Sequence, residues 1–243
     1  MSIEYSAITE KCSRNANEDS IGHFVSKEKQ CFVVCDGLGG HGMGDVASKL
    51  VVDEFGSLFE HADDISSFLG KAFESAQTQL MIAQKEQKAT RKMKTTCVAL
   101  ATDESNAYVG HVGDSRLYVF QKNKVKTRTL DHSIPQMLVL SKDIKESEIR
   151  NHPERNYVLR VMGIEWEKPM YELMPTIKLR KCQAFLLCTD GFWELILEED
   201  MCRLLKESDS PEEWLNKMAE IVKHNGEGKN MDNYSAIAVW NTK

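Results

Sequence analysis

The carboxylates of this sequence fall where strands end. Asp36 follows the apolar run CFVVC and precedes Gly37, and Asp190 follows FLLCT and precedes Gly191. Asp114 closes the segment AYVGHVG, Asp232 stands just before the run NYSAIAV, and Glu18 and Asp19 stand just before SIGHF. An acid beside a glycine is also ordinary turn chemistry, because Asp tolerates the backbone conformations of tight turns and bonds its own main chain. For any single acid that reading competes with a functional one. For the set it is weaker, since both Asp-Gly pairs join a strand to a helix, where no two-residue hairpin is expected. Acids at strand ends can converge on one edge of a sheet. If they meet, their repulsion calls for cations, and an all-oxygen donor set selects hard ions such as Mg2+ or Mn2+ over zinc.

Arg14 stands three residues before Asn17-Glu18-Asp19. A planar guanidinium suits bidentate contact with phosphate better than an ammonium does, whereas a solvated surface charge is the plainer account of a lone arginine. Gly37, Gly39 and Gly42 fit the spacing G-x-G-x-x-G, after a strand and before a helix. That spacing imitates a dinucleotide fingerprint. Asp36 would then lie against an anionic pyrophosphate, the helix leads to another helix, and no acid ends a second parallel strand to hold a ribose. A nucleotide P-loop fails too, because Met43-Gly44 stands where Lys-Ser/Thr is required.

The elements that must position these groups follow from periodicity. Ile3–Ile8, Ser20–Ser26 and Cys31–Cys35 read as strands. Val46–Phe59 and Ile65–Gln87 carry apolar residues at helical spacing. Thr95–Thr102, Ala107–Val112, Arg116–Gln121 and Val125–Thr129 are short strands too close together for crossover helices, so they pair antiparallel. Residues 133–168 are polar and mixed, an inserted surface element with short helical patches. Strands over Tyr171–Ile177 and Ala184–Cys188, helices over Trp193–Lys206 and Pro211–His224, and a strand over Tyr234–Trp240 complete the chain. Helix pairs set apart from meandering strands indicate an α+β layered sandwich.

The chain has 243 residues, 42% hydrophobic and 28% charged, enough for a sizeable core. Acids exceed bases by 37 to 31, a formal net charge of −6 with no basic tract, which argues against nucleic acid as a partner. No apolar run reaches the roughly 18 residues of a membrane span, and no signal-peptide pattern opens the chain, so the expectation is a cytoplasmic protein away from membranes. The seven cysteines include no C-x-x-C pair and read as buried hydrophobes in a reducing compartment.

Six segments occur in one order: RNANEDS (14–20), VVCDGLGGHGMGDVAS (33–48), VGHVGDSRLYVF (109–120), LDHSIP (130–135), LLCTDGFWE (186–194) and NMDNYSAIAV (230–239). In that order, with Lys94-Thr95-Thr96 and Leu159–Gly163 between them, the chain resembles the metal-dependent protein phosphatases of the type 2C family, in their compact bacterial form. The resemblance covers nearly the whole chain. It implies a four-layer α-β-β-α sandwich, two central antiparallel sheets flanked by helix pairs, over residues 1–243 as a single catalytic domain. It implies hydrolysis of phosphoserine and phosphothreonine by a water activated between two Mn2+ or Mg2+ ions. Asp36 matches the acid that bridges the ions, Gly37 a carbonyl ligand, and Asp190 and Asp232 the acids completing a shell. Glu18 matches an acid acting through water, with Asp19 and Asn233 as supporting contacts. Asp114 matches an acid that holds a weaker third ion with Asp190, and Arg14 the guanidinium that holds the substrate phosphate. Leu38 stands where many eukaryotic members carry a histidine proposed as proton donor, and His41 is the candidate for that role here. The segment 133–168 matches a flap beside the site, expected to influence substrate choice. The implied partners are phosphoproteins, substrates of a serine/threonine kinase acting in trans. A phosphatase-like binding module without catalysis is the alternative.

Overall fold

A computed structural model describes residues 2–38, 42–89 and 92–242. His41 lies outside the described residues. The elements run β1 (Ser2–Glu10), β2 (Asp19–Ser26), β3 (Lys29–Asp36), α1 (Gly44–Glu60), α2 (Ile65–Glu86), β4 (Cys97–Thr102), β5 (Asn106–Val112), β6 (Arg116–Gln121) and β7 (Lys124–Arg128). There follow α3 (Ile134–Ser141), β8 (Glu172–Leu173), β9 (Ile177–Lys178), β10 (Ala184–Cys188), α4 (Asp190–Trp193), α5 (Glu198–Lys206), α6 (Pro211–Gly226) and β11 (Tyr234–Thr242).

The strands form two antiparallel sheets, one in the order β1-β11-β10-β6-β7 and the other β2-β3-β4-β5-β8, with β9 also pairing β5. Side chains alternate between faces along a strand. In β3, Cys31, Val33 and Cys35 pack toward α1 and α2, while Phe32 and Val34 join the core between the sheets. In β10, Leu186 and Cys188 pack toward α5 and α6, while Phe185 and Leu187 face the other sheet. Both faces of these strands are therefore dry, which is why they read as unbroken apolar runs in the sequence. The result is the four-layer α-β-β-α sandwich. Among the described residues no helix is long and apolar enough to cross a membrane.

Two elements differ from the sequence expectation. The strand over Tyr171–Ile177 is reduced to the two-residue pieces β8 and β9. Pro175 lies between them and has no amide to donate to a ladder. The helix over Trp193–Lys206 is split into α4 and α5. At the break, Arg150 donates to the carbonyls of Trp193 and Ile196 at 3.1 Å each, and Asn225 donates to that of Leu195 at 2.8 Å. Side chains from elsewhere thus satisfy carbonyls that a continuous helix would bond internally. Within 133–168 the described structure is α3 and a 3-10 turn over Glu146–Asn151.

Antiparallel registers bring the site-bearing strand ends together. Glu10 pairs with Tyr234, Cys188 with both Ala236 and Arg116, Asp19 with Asp36, and Cys97 with Val112. The end of β1, the start of β11, the end of β10, the start of β6, the start of β2, the ends of β3 and β5 and the start of β4 therefore lie at one end of the sandwich.

Candidate active site

Asp36 is the last residue of β3 and continues the parity of Phe32 and Val34, so it stands at the mouth of the core between the sheets. Its backbone is fixed by two threonines. The Asp36 amide donates to Thr96 Oγ1 at 3.1 Å, and its carbonyl accepts from the Thr96 amide at 2.9 Å and from Thr95 Oγ1 at 2.8 Å. The Thr96 hydroxyl meets that of Ser115, next to Asp114, at 2.7 Å. Gly37 follows, its amide donating to the Glu18 carbonyl at 3.1 Å. A Cβ at Gly37 would fall on the backbone of Gly44 and Glu18, so only glycine lets the site loop cross the start of α1.

Asp19 lies opposite Asp36 in the β2–β3 ladder and is buried. Its Oδ2 accepts from Thr189 Oγ1 at 3.0 Å, and Thr189 Oγ1 in turn accepts from the Ser235 amide at 2.9 Å. Thr189 leads directly into Asp190, the first residue of α4. Asp114 is buried in the β5–β6 turn, and its carbonyl accepts from Trp193 Nε1 at 3.0 Å.

The loop before β2 is clamped by Asn233. Asn233 Nδ2 donates to the carbonyls of Lys11 at 2.8 Å and Ala16 at 3.0 Å, and its Oδ1 accepts from the Glu18 amide at 2.8 Å. The clamp sets Arg14 beside Asp232, with Nη2 2.7 Å from Oδ2 and both side chains about half exposed (47% and 48%).

The electrostatics follow from this convergence. Burial, and then the charges of Asp190, Asp19, Asp114 and Asp232, push the Asp36 carboxyl well above the ordinary carboxylate range. Burial raises Asp19 to about 7, with Asp190 and Asp232 adding to the shift against hydrogen bonds from Ser235 and Thr189. Asp114 is raised by burial and then by Asp190, Asp190 by burial and then by Asp232, and Glu18 by burial and then by Asp45 and Asp232. Close carboxylates cannot all ionise unless positive charge joins them. The donors gathered here are oxygens, which fits hard divalent ions.

The structure thus gathers Arg14, Glu18, Asp19, Asp36, Gly37, Asp114, Asp190, Asp232 and Asn233 at one end of the sandwich. It adds residues that sequence alone does not single out. Thr189 and Ser115 adjoin Asp190 and Asp114 in the sequence, and Thr96, part of the Lys94-Thr95-Thr96 motif, lies 60 residues from the Asp36 amide it binds, so no local pattern shows which acid each supports. Glu194, one turn beyond Asp190, is raised to about 7 by burial and then by Asp190, and it pairs with Arg155 at 3.2 Å. The Glu194 amide donates to the Asp190 carbonyl at 2.9 Å, but a helix expected only from Trp193 onward leaves Asp190 outside it, so the four-residue spacing of the two acids is not legible as one helical turn.

The profile of the protein phosphatase 2C family matches residues 12–233. The serine/threonine phosphatase stp of Listeria welshimeri is 31% identical over 235 residues, 93% of this chain and 90% of that protein. The serine/threonine protein phosphatase PstP of Mycobacterium tuberculosis is 28% identical over 198 residues, 79% of this chain and 37% of that protein. The crystal structure of the serine/threonine phosphatase Stp1 from Staphylococcus aureus superposes with a TM-score of 0.89 at 30% identity, covering 100% of this chain and 96% of the other. Similar in sequence and in fold along nearly its whole length, the chain belongs to the protein phosphatase 2C family of metal-dependent protein phosphatases.

Proposed function

We propose that this protein serine/threonine phosphatase hydrolyses phosphoserine and phosphothreonine at the sheet end where Asp36, Asp190, Asp232 and Arg14 meet. The observation that carries the reading is the convergence of acids on one end of the sandwich, with Asp19 opposite Asp36 in the β2–β3 ladder, Asp19 tied through Thr189 to the turn of Asp190, and Arg14 2.7 Å from Asp232. Asp36, the Gly37 carbonyl, Asp190 and Asp232 are the residues that would hold two Mn2+ or Mg2+ ions. Asp114 would hold a weaker third ion, and Glu18 would act one step back, through water. Divalent ions at such a site acidify a water nucleophile and offset charge on the phosphoryl oxygens.

The remaining work falls to side chains of the chain itself. Arg14 is exposed and steered by Asp232, so its fork can take two phosphoryl oxygens without leaving its anchor. Asp19, held by Thr189, and Asn233, holding the Arg14 loop, keep the acids and the guanidinium in register. Phosphoproteins are the substrates, and a serine/threonine kinase acting in trans is the opposing activity. We read residues 1–243 as one catalytic domain working in the cytoplasm, in keeping with seven free cysteines.

Hydrolysis of p-nitrophenyl phosphate and of a phosphothreonine peptide tests the reading. Asp36→Asn is expected to lose more than about a hundredfold in kcat/KM, beyond the usual effect of altering a ligand's support. Arg14→Ala is expected to lose roughly ten- to a hundredfold, the worth of charge-assisted bonds to phosphate. Full activity in excess EDTA, or an unimpaired Asp36→Asn, would refute it.

A further inference from the structure

His132 sits between β7 and α3, is buried, and has every polar group engaged. Its amide donates to the Gly113 carbonyl at 2.9 Å, and its carbonyl accepts from the Leu159 amide at 2.7 Å. Its Nδ1 accepts from the Gly113 amide at 3.1 Å, and its Nε2 lies 3.3 Å from Glu172 Oε1. Two of these bonds reach Gly113, the residue before Asp114. The other two reach the segment leading out of the flap, at Leu159 and Glu172.

The partners dictate the tautomer. A backbone amide can only donate, so Nδ1 carries the lone pair and the neutral ring places its hydrogen on Nε2, toward Glu172, which makes the approach of Arg160 Nη1 to Nε2 at 3.4 Å a contact and not a hydrogen bond. Glu172 Oε1 also accepts from Arg160 Nη1 at 2.8 Å. His111 stacks on His132 with ring centroids 4.6 Å apart. Its Nε2 donates to the Leu130 carbonyl at 2.7 Å, which leaves a buried Nδ1 without a hydrogen-bond partner. One ligand-type atom from each of His111, His132 and Glu172 lies within 4.8 Å of the others, a spacing that resembles a cation site. The proton on His132 Nε2 and the guanidinium of Arg160 already fill the positive side of that cluster. The arrangement is a bridge with a fixed proton order.

The site end of the bridge has little freedom. Gly113 has φ +104°, and a Cβ there would lie 2.6 Å from the Thr96 side chain. Both of its backbone polar groups face His132, so the peptide that launches Asp114 is set by that one residue.

We propose that His132 is a positioning residue coupling the segment over residues 159–172 to Gly113 and Asp114. The coupling rests on the reading that Asp114 belongs to the metal-binding end. Through it, contacts of a phosphoprotein with the flap alter the acid cluster without touching it.

A double-mutant cycle tests the coupling, read by calorimetric titration with Mn2+ and by kcat and KM on a phosphothreonine peptide. Asn at 132 keeps an acceptor where Nδ1 stands but lacks the reach of Nε2. Glu172→Ala alone is expected to weaken the weakest Mn2+ step by about threefold or more, as is His132→Asn alone. The double variant is expected to match His132→Asn, because the link is already cut. Wild-type Mn2+ binding and KM in Glu172→Ala, or additive effects in the double variant, would overturn the coupling. So would tight Zn2+ binding that Glu172→Ala abolishes, which would make the cluster an ion site. Asp114→Asn serves as the control: an unchanged Mn2+ isotherm there sinks the Asp114 reading itself, whereas an effect there with a silent Glu172→Ala sinks the coupling alone. Should His132→Asn fail to fold, Glu172→Ala, altered at a half-exposed side chain, still decides.

Discussion

Arg116 is a charged side chain only 1% exposed, and it survives because every face is answered. It binds Asp131 through Nε at 2.8 Å and Nη2 at 2.6 Å, donates from Nη1 to the Tyr118 hydroxyl at 2.9 Å, and lies 3.4 Å from the centre of the Trp193 ring. Burial alone would raise the Asp131 carboxyl, but Arg116 holds it below the usual range. Removing one partner of such a pair leaves an uncompensated buried charge. Asp131→Ala is therefore expected to cost about 3–5 kcal/mol in denaturant unfolding. His132 makes a prediction of the opposite kind. Burial, then His111 and Arg160, lower it to about 4 from 6.5. The unfolded chain thus takes up a proton below pH 6.5 that the folded chain refuses until about 4, so stability is lost as pH falls through that window. Wild type is expected to lose about 1–3 kcal/mol more than His132→Asn between those pH values, measured by urea unfolding. Equal pH slopes would refute the assignment. The acids at strand ends were legible in the sequence because a carboxylate interrupting an apolar run is conspicuous. The partners of Arg116 and His132 were not, because which charges are buried together is decided by the fold.

At the scale of elements, local signals served where local chemistry governs. Ser210 before Pro211 marks the start of α6, and its hydroxyl accepts from the Glu213 amide at 3.1 Å. Ser210→Ala is expected to cost about 1 kcal/mol, with a fall in Tm of about 2–4 °C and no change in KM. A kinetic change would show α6 reaching the site more directly than its position allows. The strands β3, β4 and β10 were legible for the same reason, as apolar runs bounded by turn residues. The break between α4 and α5 was not. Leu195, Ile196 and Leu197 suit a helix, and what ends it is a guanidinium from residue 150. Likewise β8 and β9 look like one strand until Pro175 meets a ladder that needs its amide.

For the whole molecule, six acids, Glu18, Asp19, Asp36, Asp114, Asp190 and Asp232, meet at one end of the sandwich. On the proposed reading, divalent cations taken up there would stabilise the fold by mass action, about 4 kcal/mol for one site at a thousand times its Kd. Thermal unfolding in increasing Mn2+ is expected to show a rising Tm in the wild type and a much flatter response in Asp36→Asn. Parallel responses would place the bound ions elsewhere. Among the described residues β1 pairs with β11 alone, Ser2 opposite Thr242, so β1 joins its sheet only once β11, the strand farthest from it in sequence, is in place. Asp232 arrives with that last strand. A chain lacking β11 and the residues just before it therefore holds neither a paired β1 nor a full set of acids, so the first sheet and the acid cluster close together.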